Sequence, residues 1–146
     1  MSRLKLVVAY TGTRYCGWQL QDRAPSIQGS LEAALYKICG QKIRIHGAGR
    51  TDSGVHSLGQ VAHCDIPDNK GHIPWQKALN AVLPKDISVV RASYTSLDFH
   101  ARYSACQKVY AYTLWTEPEY IFPQCRDFAW STGRLDLKRM HQASKF

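Results

Sequence analysis

The stretch His46-Gly47-Ala48-Gly49-Arg50-Thr51-Asp52-Ser53-Gly54-Val55-His56 gathers glycines, a carboxylate, a guanidinium and two imidazoles in one short segment. Three common glycine motifs fail on it. A dinucleotide fingerprint requires glycine where Asp52 stands, and a P-loop requires Lys then Ser or Thr where Val55 and His56 follow Gly54. A nucleophile elbow around Ser53 requires glycines where Thr51 and Val55 stand. What remains is an aspartate in a loop whose glycines permit unusual backbone angles and close approach of a ligand. A carboxylate in such a place can act as a covalent nucleophile toward a sugar carbon. Arg50 is placed to orient that carboxylate, to contact phosphate, or simply to form an ion pair with it. The plain alternative for Asp52 is an Asx turn, with the side chain bonded to its own backbone beside Gly54.

The chain has 146 residues, a length that fits one ordinary domain, and apolar and charged fractions of 45% and 21%, which are those of a folded globular protein. The formal charge is +8, divided equally between the two halves of the chain. A dispersed basic excess suggests a polyanion, most often nucleic acid, although an ordinary basic protein has the same arithmetic. No apolar run approaches the roughly 18–20 residues that cross a bilayer, and the start MSRLKLVVAYTG carries no signal-peptide pattern. The five cysteines, at 16, 39, 64, 106 and 125, form no C-x-x-C pair and no zinc spacing with histidine. His63 and Cys64 are adjacent, so in a strand they point to opposite faces. No metal site is expected, no membrane, and a cytoplasmic location follows from free thiols without an export signal. His46, His56, His63 and His100 are polar groups that could lie near a polyanion; lone histidines are more often structural, and none is assigned a catalytic role.

These residues need elements to position them. Leu4 to Tyr10 reads as a strand and residues 11–25 as a loop. Ser26 caps a helix with apolar positions Ile27, Leu31, Leu35 and Ile38, ended by Gly40. Lys42 to His46 alternates as a strand, residues 47–59 form the glycine loop, and Gln60 to Ile66 alternates again. Ile73 to Leu83 fits a second helix closed by Pro84, and Ile87 to Tyr94 is a strand. Lys108 to Trp115 reads as a further strand, 117–127 as loop, and a helix begins at Asp136. The order β-α-β-β-α-β is that of an α+β, ferredoxin-like (split βαβ, RRM-like) domain, an antiparallel sheet with helices on one face. There is no internal repeat and no low-complexity segment.

The glycine stretch, continuing into Gly59-Gln60-Val61-Ala62, closely resembles the signature of the TruA family of tRNA pseudouridine synthases. Other blocks resemble the same family in the same order: Tyr10-Thr-Gly-Thr with Gly17-Trp18-Gln19; Ser26-Ile27-Gln28-Gly-Ser-Leu31-Glu32; and Leu79-Asn80-Ala-Val-Leu83-Pro84-Lys-Asp86-Ile87. Phe99-His100-Ala101-Arg102 and Lys108-Val-Tyr110-Ala-Tyr112 follow. The resemblance covers essentially the whole chain.

That resemblance implies an isomerase converting uridine to pseudouridine in the tRNA anticodon stem-loop, around positions 38–40. It implies Asp52 as catalytic nucleophile, Arg50 as the group that assists flipping of the base, and Tyr110 as the ring that stacks on it. No cofactor is needed, because nothing is oxidised and no atom is lost. The partner is tRNA, and family members act as homodimers. Arg14, Arg23, Lys42, Arg44, Arg102 and Lys108 are candidate RNA contacts, each equally readable as a solvated surface charge. Lys108, Tyr110 and Tyr112 are expected on one strand face, a basic and aromatic surface suited to nucleobases, unless the tyrosines simply cover the core. Residues 1–115 are expected to form the first ferredoxin-like half with the catalytic aspartate. Residues 116–146 are read as a connection and the truncated start of a second half, so the site of this chain alone is expected to be incomplete. The reading from another class is a non-catalytic RNA-binding module of ferredoxin-like form.

Overall fold

The structure is a computed structural model that describes residues 1–145. It divides into two compact units, Met1–Gln107 and the residues from Lys108 onward.

In the first unit, β1 (Ser2–Tyr10) buries Leu4, Leu6, Val8 and Tyr10 and leaves the alternate residues toward the other face. This follows from the two-residue period of a strand. The chain continues through α1 (Ile27–Cys39), β2 (Ile45–Gly47), β3 (Ser57–Ile66), α2 (Trp75–Val82) and β4 (Ile87–Thr95). The four strands form one sheet in the order β2-β3-β1-β4, with every neighbouring pair antiparallel. Ile27, Leu31 and Leu35 of α1 and Trp75 and Leu79 of α2 join one buried cluster with the inward residues of the sheet. This is an α+β architecture.

Local chemistry accounts for the elements. Ser26 Oγ accepts from Gly29 N at 3.1 Å and caps α1, and the helix closes at Gly40, whose N–H donates to Tyr36 O at 2.8 Å. β1 and β4 change register between Val7 and Val8, so Val89 and Ala92 of β4 both turn toward the core across an irregularity. Cys64 faces the core and burial pushes its thiol up to about 12.

Three expectations shift. β2 is Ile45–Gly47, not Lys42–His46, because only these residues pair with β3. Its outer edge is covered by α1: Ile45 N donates to Glu32 Oε1 at 3.1 Å, and Gln28 Nε2 donates to Ile45 O at 3.2 Å. β3 begins at Ser57, which pairs with Tyr10, so the glycine loop is shorter than 47–59. The largest difference lies in the second unit. Lys108 to Thr113 has no regular secondary structure, and only β5 (Leu114–Trp115) pairs, in parallel, with β6 (Trp130–Ser131). Alternation in sequence forms a strand only where a ladder partner exists. α3 (Leu137–Ala143) starts as expected, with Asp136 Oδ1 accepting from Arg139 N at 3.1 Å.

Candidate active site

Ala48 to His56 connects β2 to β3. Its first turn is tied to β3: Ala48 N donates to Val61 O at 2.7 Å and Gln60 Nε2 to Gly49 O at 2.6 Å. Its middle is held by the segment that follows β1. Trp18 N donates to Thr51 O at 3.0 Å. Tyr15 O accepts from both Gly54 N and Ser53 Oγ, each at 3.2 Å. The hydroxyls of Tyr10 and Thr51 lie 2.9 Å apart in a hydrogen bond, and Gly12 N donates to His56 Nδ1 at 3.2 Å.

The two segments approach too closely for side chains between them. A Cβ on Gly12 would lie 2.0 Å from Val55 O. One on Gly17, whose φ is +84°, would lie 2.3 Å from Thr51 O. Both positions therefore require glycine, the second on backbone angle as well.

A deeper tier supports this contact. Tyr15 donates its hydroxyl to Asp86 Oδ1 at 2.6 Å, and Thr11 N donates to Asp86 O at 2.9 Å. Burial, reinforced by the Asp86 carboxylate, pushes the Tyr15 hydroxyl up to about 12, so it stays a donor. Arg14 Nε lies 3.7 Å from Asp86 Oδ2, which makes Arg14 a partner of this support.

Asp52 sits at the crest of the loop. Its carbonyl accepts from Val55 N at 3.2 Å and closes the turn through the backbone. The Asx turn weighed above is not formed, because among the described residues the Asp52 carboxylate makes no hydrogen bond or ion pair. Arg50 is exposed and forms no ion pair with Asp52 either. The loop thus presents an exposed carboxylate from a backbone held on two sides, the geometry of a nucleophile or base toward a bound ligand.

Residues 6–104 match the model of a family described as tRNA pseudouridine synthase. The chain belongs to the tRNA pseudouridine synthase family. It is 47% identical to tRNA pseudouridine synthase A of Maridesulfovibrio salexigens over 146 residues, covering 100% of this chain and 54% of that protein. It is 52% identical to the enzyme of the same name from Solidesulfovibrio magneticus, over 96% of this chain and 53% of the relative. The relative of that name from Lawsonia intracellularis is 51% identical, with 100% and 59% covered. The chain therefore spans about half the length of the curated relatives it matches.

The remaining candidate residues are dispersed. Arg23 and Lys42 are exposed, and Lys42 precedes β2 rather than lying in it. Arg44 Nε is 3.6 Å from Glu32 Oε1, an ion pair at the rim of β2. The Arg102 guanidinium lies 5.9 Å from the centre of the Tyr103 ring. Lys108, Tyr110 and Tyr112 are exposed and do not share a strand face, since their segment has no ladder. The two tyrosines cover no core.

Among the histidines, His63 has the structural role anticipated for such residues. It is 2% exposed, its Nδ1 accepts from Ala101 N at 3.1 Å, and burial lowers its pKa to about 4. Among the described residues no group of three His, Cys, Asp or Glu side chains is placed to hold a metal ion, and no helix is long and apolar enough to cross a membrane.

The residues that set the loop, Tyr10, Tyr15, Gln60 and Asp86, carry no assigned role in the sequence reading. Three of them fall within the blocks of family resemblance, which was the available signal; nothing local marks Tyr15.

Proposed function

We propose that this chain carries the nucleophile-bearing part of an enzyme that isomerises uridine to pseudouridine in tRNA, in the anticodon stem-loop around positions 38–40. The observation that carries the reading is the Asp52 carboxylate. It is exposed and unpartnered among the described residues, on a loop held from both sides, in a chain of the tRNA pseudouridine synthase family. In the reaction the N1–C1′ bond breaks, the uracil turns, and C5 bonds to C1′. The proton leaves C5 and N1 gains one, so the product is an isomer and no cofactor enters. Asp52 either attacks C1′ or removes a sugar proton to leave a glycal; both routes start from one carboxylate beside the ribose.

In this reading Arg50 assists extrusion of the base and Tyr110 stacks on it once flipped. Arg14, Arg23, Lys42, Arg44, Arg102 and Lys108 meet tRNA phosphates, with Arg14 and Arg44 exchanging or sharing their present carboxylate partners. The strand order β2-β3-β1-β4 with two crossover helices supports a ferredoxin-like first half lying within residues 1–115. The enzyme acts in the cytoplasm as a homodimer.

Release of tritium from C5-tritiated uridine in tRNA tests the assignment. Release above background that disappears in Asp52→Ala is expected; equal release by both proteins overturns the nucleophile. A second reading, a non-catalytic RNA-binding module, is favoured by the same half-length match. It predicts no release by either protein with RNA binding retained.

A further inference from the structure

The sheet face opposite the helices is not bare. After β4 the chain crosses it, held by three contacts. Arg3, paired with Asp65 at 2.7 Å, donates through Nη1 to Phe99 O at 2.9 Å and also to Leu97 O. Lys5 Nζ stands 4.9 Å from the centre of the Phe99 ring. Ala101 N donates to the buried His63 Nδ1.

These contacts build a column of rings that runs outward. His63 is buried, and the His100 ring packs edge-on against it with centroids 4.6 Å apart. His46 stacks on His63 at 5.1 Å and 22°. Tyr103 then stacks on His100 at 4.3 Å and 29°. His100 Nδ1 accepts from Arg102 N at 3.2 Å and Tyr103 N at 3.4 Å, which fixes the backbone under both residues. Tyr103 ends the column 79% exposed. It is a largely exposed ring packed on His100, with the Arg102 guanidinium over it at 5.9 Å from its centre.

A ring already immobilised loses little further freedom when a planar group stacks on it, so it binds better than a mobile one. The neighbouring cation selects an anionic companion to that planar group. On the same face the Asp65 carboxylate is paired with Arg3.

We propose that Tyr103, backed by His100, is a stacking platform for one unpaired nucleobase of the RNA partner, with Arg102 contacting the adjoining phosphate. The subsite rests on the RNA partner of the reading above but not on the chemistry assigned to Asp52.

The test is fluorescence-anisotropy binding of a single-stranded RNA of about eight nucleotides, a length within the usual footprint of such surfaces, to the whole chain and its variants. Tyr103→Ala is expected to weaken binding about tenfold, the scale of one stacked base, while Tyr103→Phe binds as the parent does. Arg102→Gln is expected to weaken binding and lower the salt slope by about one phosphate. Tyr103 is exposed, so its variants retain the parent circular dichroism. Parent-like affinity in Tyr103→Ala overturns the platform and leaves the assignment of Asp52 standing. Absence of RNA binding by the parent overturns the platform together with the RNA partner. If Tyr103→Ala changes the oligomeric state by light scattering but not RNA affinity, the ring is a protein contact and the proposal fails.

Discussion

The Asp52 loop and the Tyr110 segment are both exposed, irregular stretches carrying a residue proposed to meet the same uridine. They differ in what lies beneath them. Thr51, Ser53, Gly54 and His56 are each bonded to the segment between Tyr10 and Trp18, which joins the same core as α1 and the sheet. From Lys108 to Lys145 no residue is buried, and Tyr110 itself is 71% exposed. A loop is a rigid mount when its carbonyls and amides are bonded to buried structure, and a tether when they are not. The first region holds a functional group in place before any ligand arrives. The second presents Tyr110 from backbone that has no such bonds to buried structure among the described residues.

Substitutions can break this contrast. Leu35→Ala, at a fully buried position of α1, is expected to lower stability by about 2–5 kcal/mol in urea unfolding. A loss near zero would mean that the first unit lacks the core on which the loop depends.

Acid offers the next largest effect. In the folded chain burial holds His63 neutral, with its pKa lowered from 6.5 to about 4. Between those values the unfolded chain binds the extra proton and the folded chain does not, so stability falls as pH falls through this window. The loss between pH 7 and pH 5 is on the order of 2 kcal/mol. Unfolding free energies across pH should show it, and His63→Gln should flatten it.

Gly17→Ala places a Cβ against Thr51 O at a positive φ and is expected to cost at least about 1 kcal/mol. The chemical shifts of Thr51 to Gly54 should move while those of α2 stay. The smallest effect belongs to the second unit. Trp130→Ala, at a residue 67% exposed, should change stability by less than about 0.5 kcal/mol. A large loss there would mean that the second unit has a core of its own.

The same contrast explains what could be read from sequence. Leu4, Leu6 and Val8, and Ile27, Leu31 and Leu35, follow the strand and helix periods because each element packs one face on a single core. Ser26 and Gly40 mark the ends of α1 through purely local chemistry. The Asp52 loop was legible as a motif, but its support was not. Tyr15 O and Trp18 N reach it from a distant segment that reads as plain loop, and the reach depends on Gly12 and Gly17 having no side chains. Lys108 to Trp115 has the strand period without a ladder partner beyond Leu114–Trp115, so the pattern overstated the element. The rings of His46, His63, His100 and Tyr103 meet only because β2, β3 and the crossing segment share one face, which no spacing in the chain records.

Whether bonds to the buried structure of the first unit hold the Asp52 loop in place is tested most directly by amide hydrogen exchange on the intact chain. Gly54 N–H, donated to Tyr15 O, and Trp18 N–H, donated to Thr51 O, are expected to be protected together with the β1–β3 ladder. The amides of Val109 to Tyr112 are expected to exchange near the unprotected rate. Gly54 and Trp18 exchanging as fast as Val109 to Tyr112 would contradict the account.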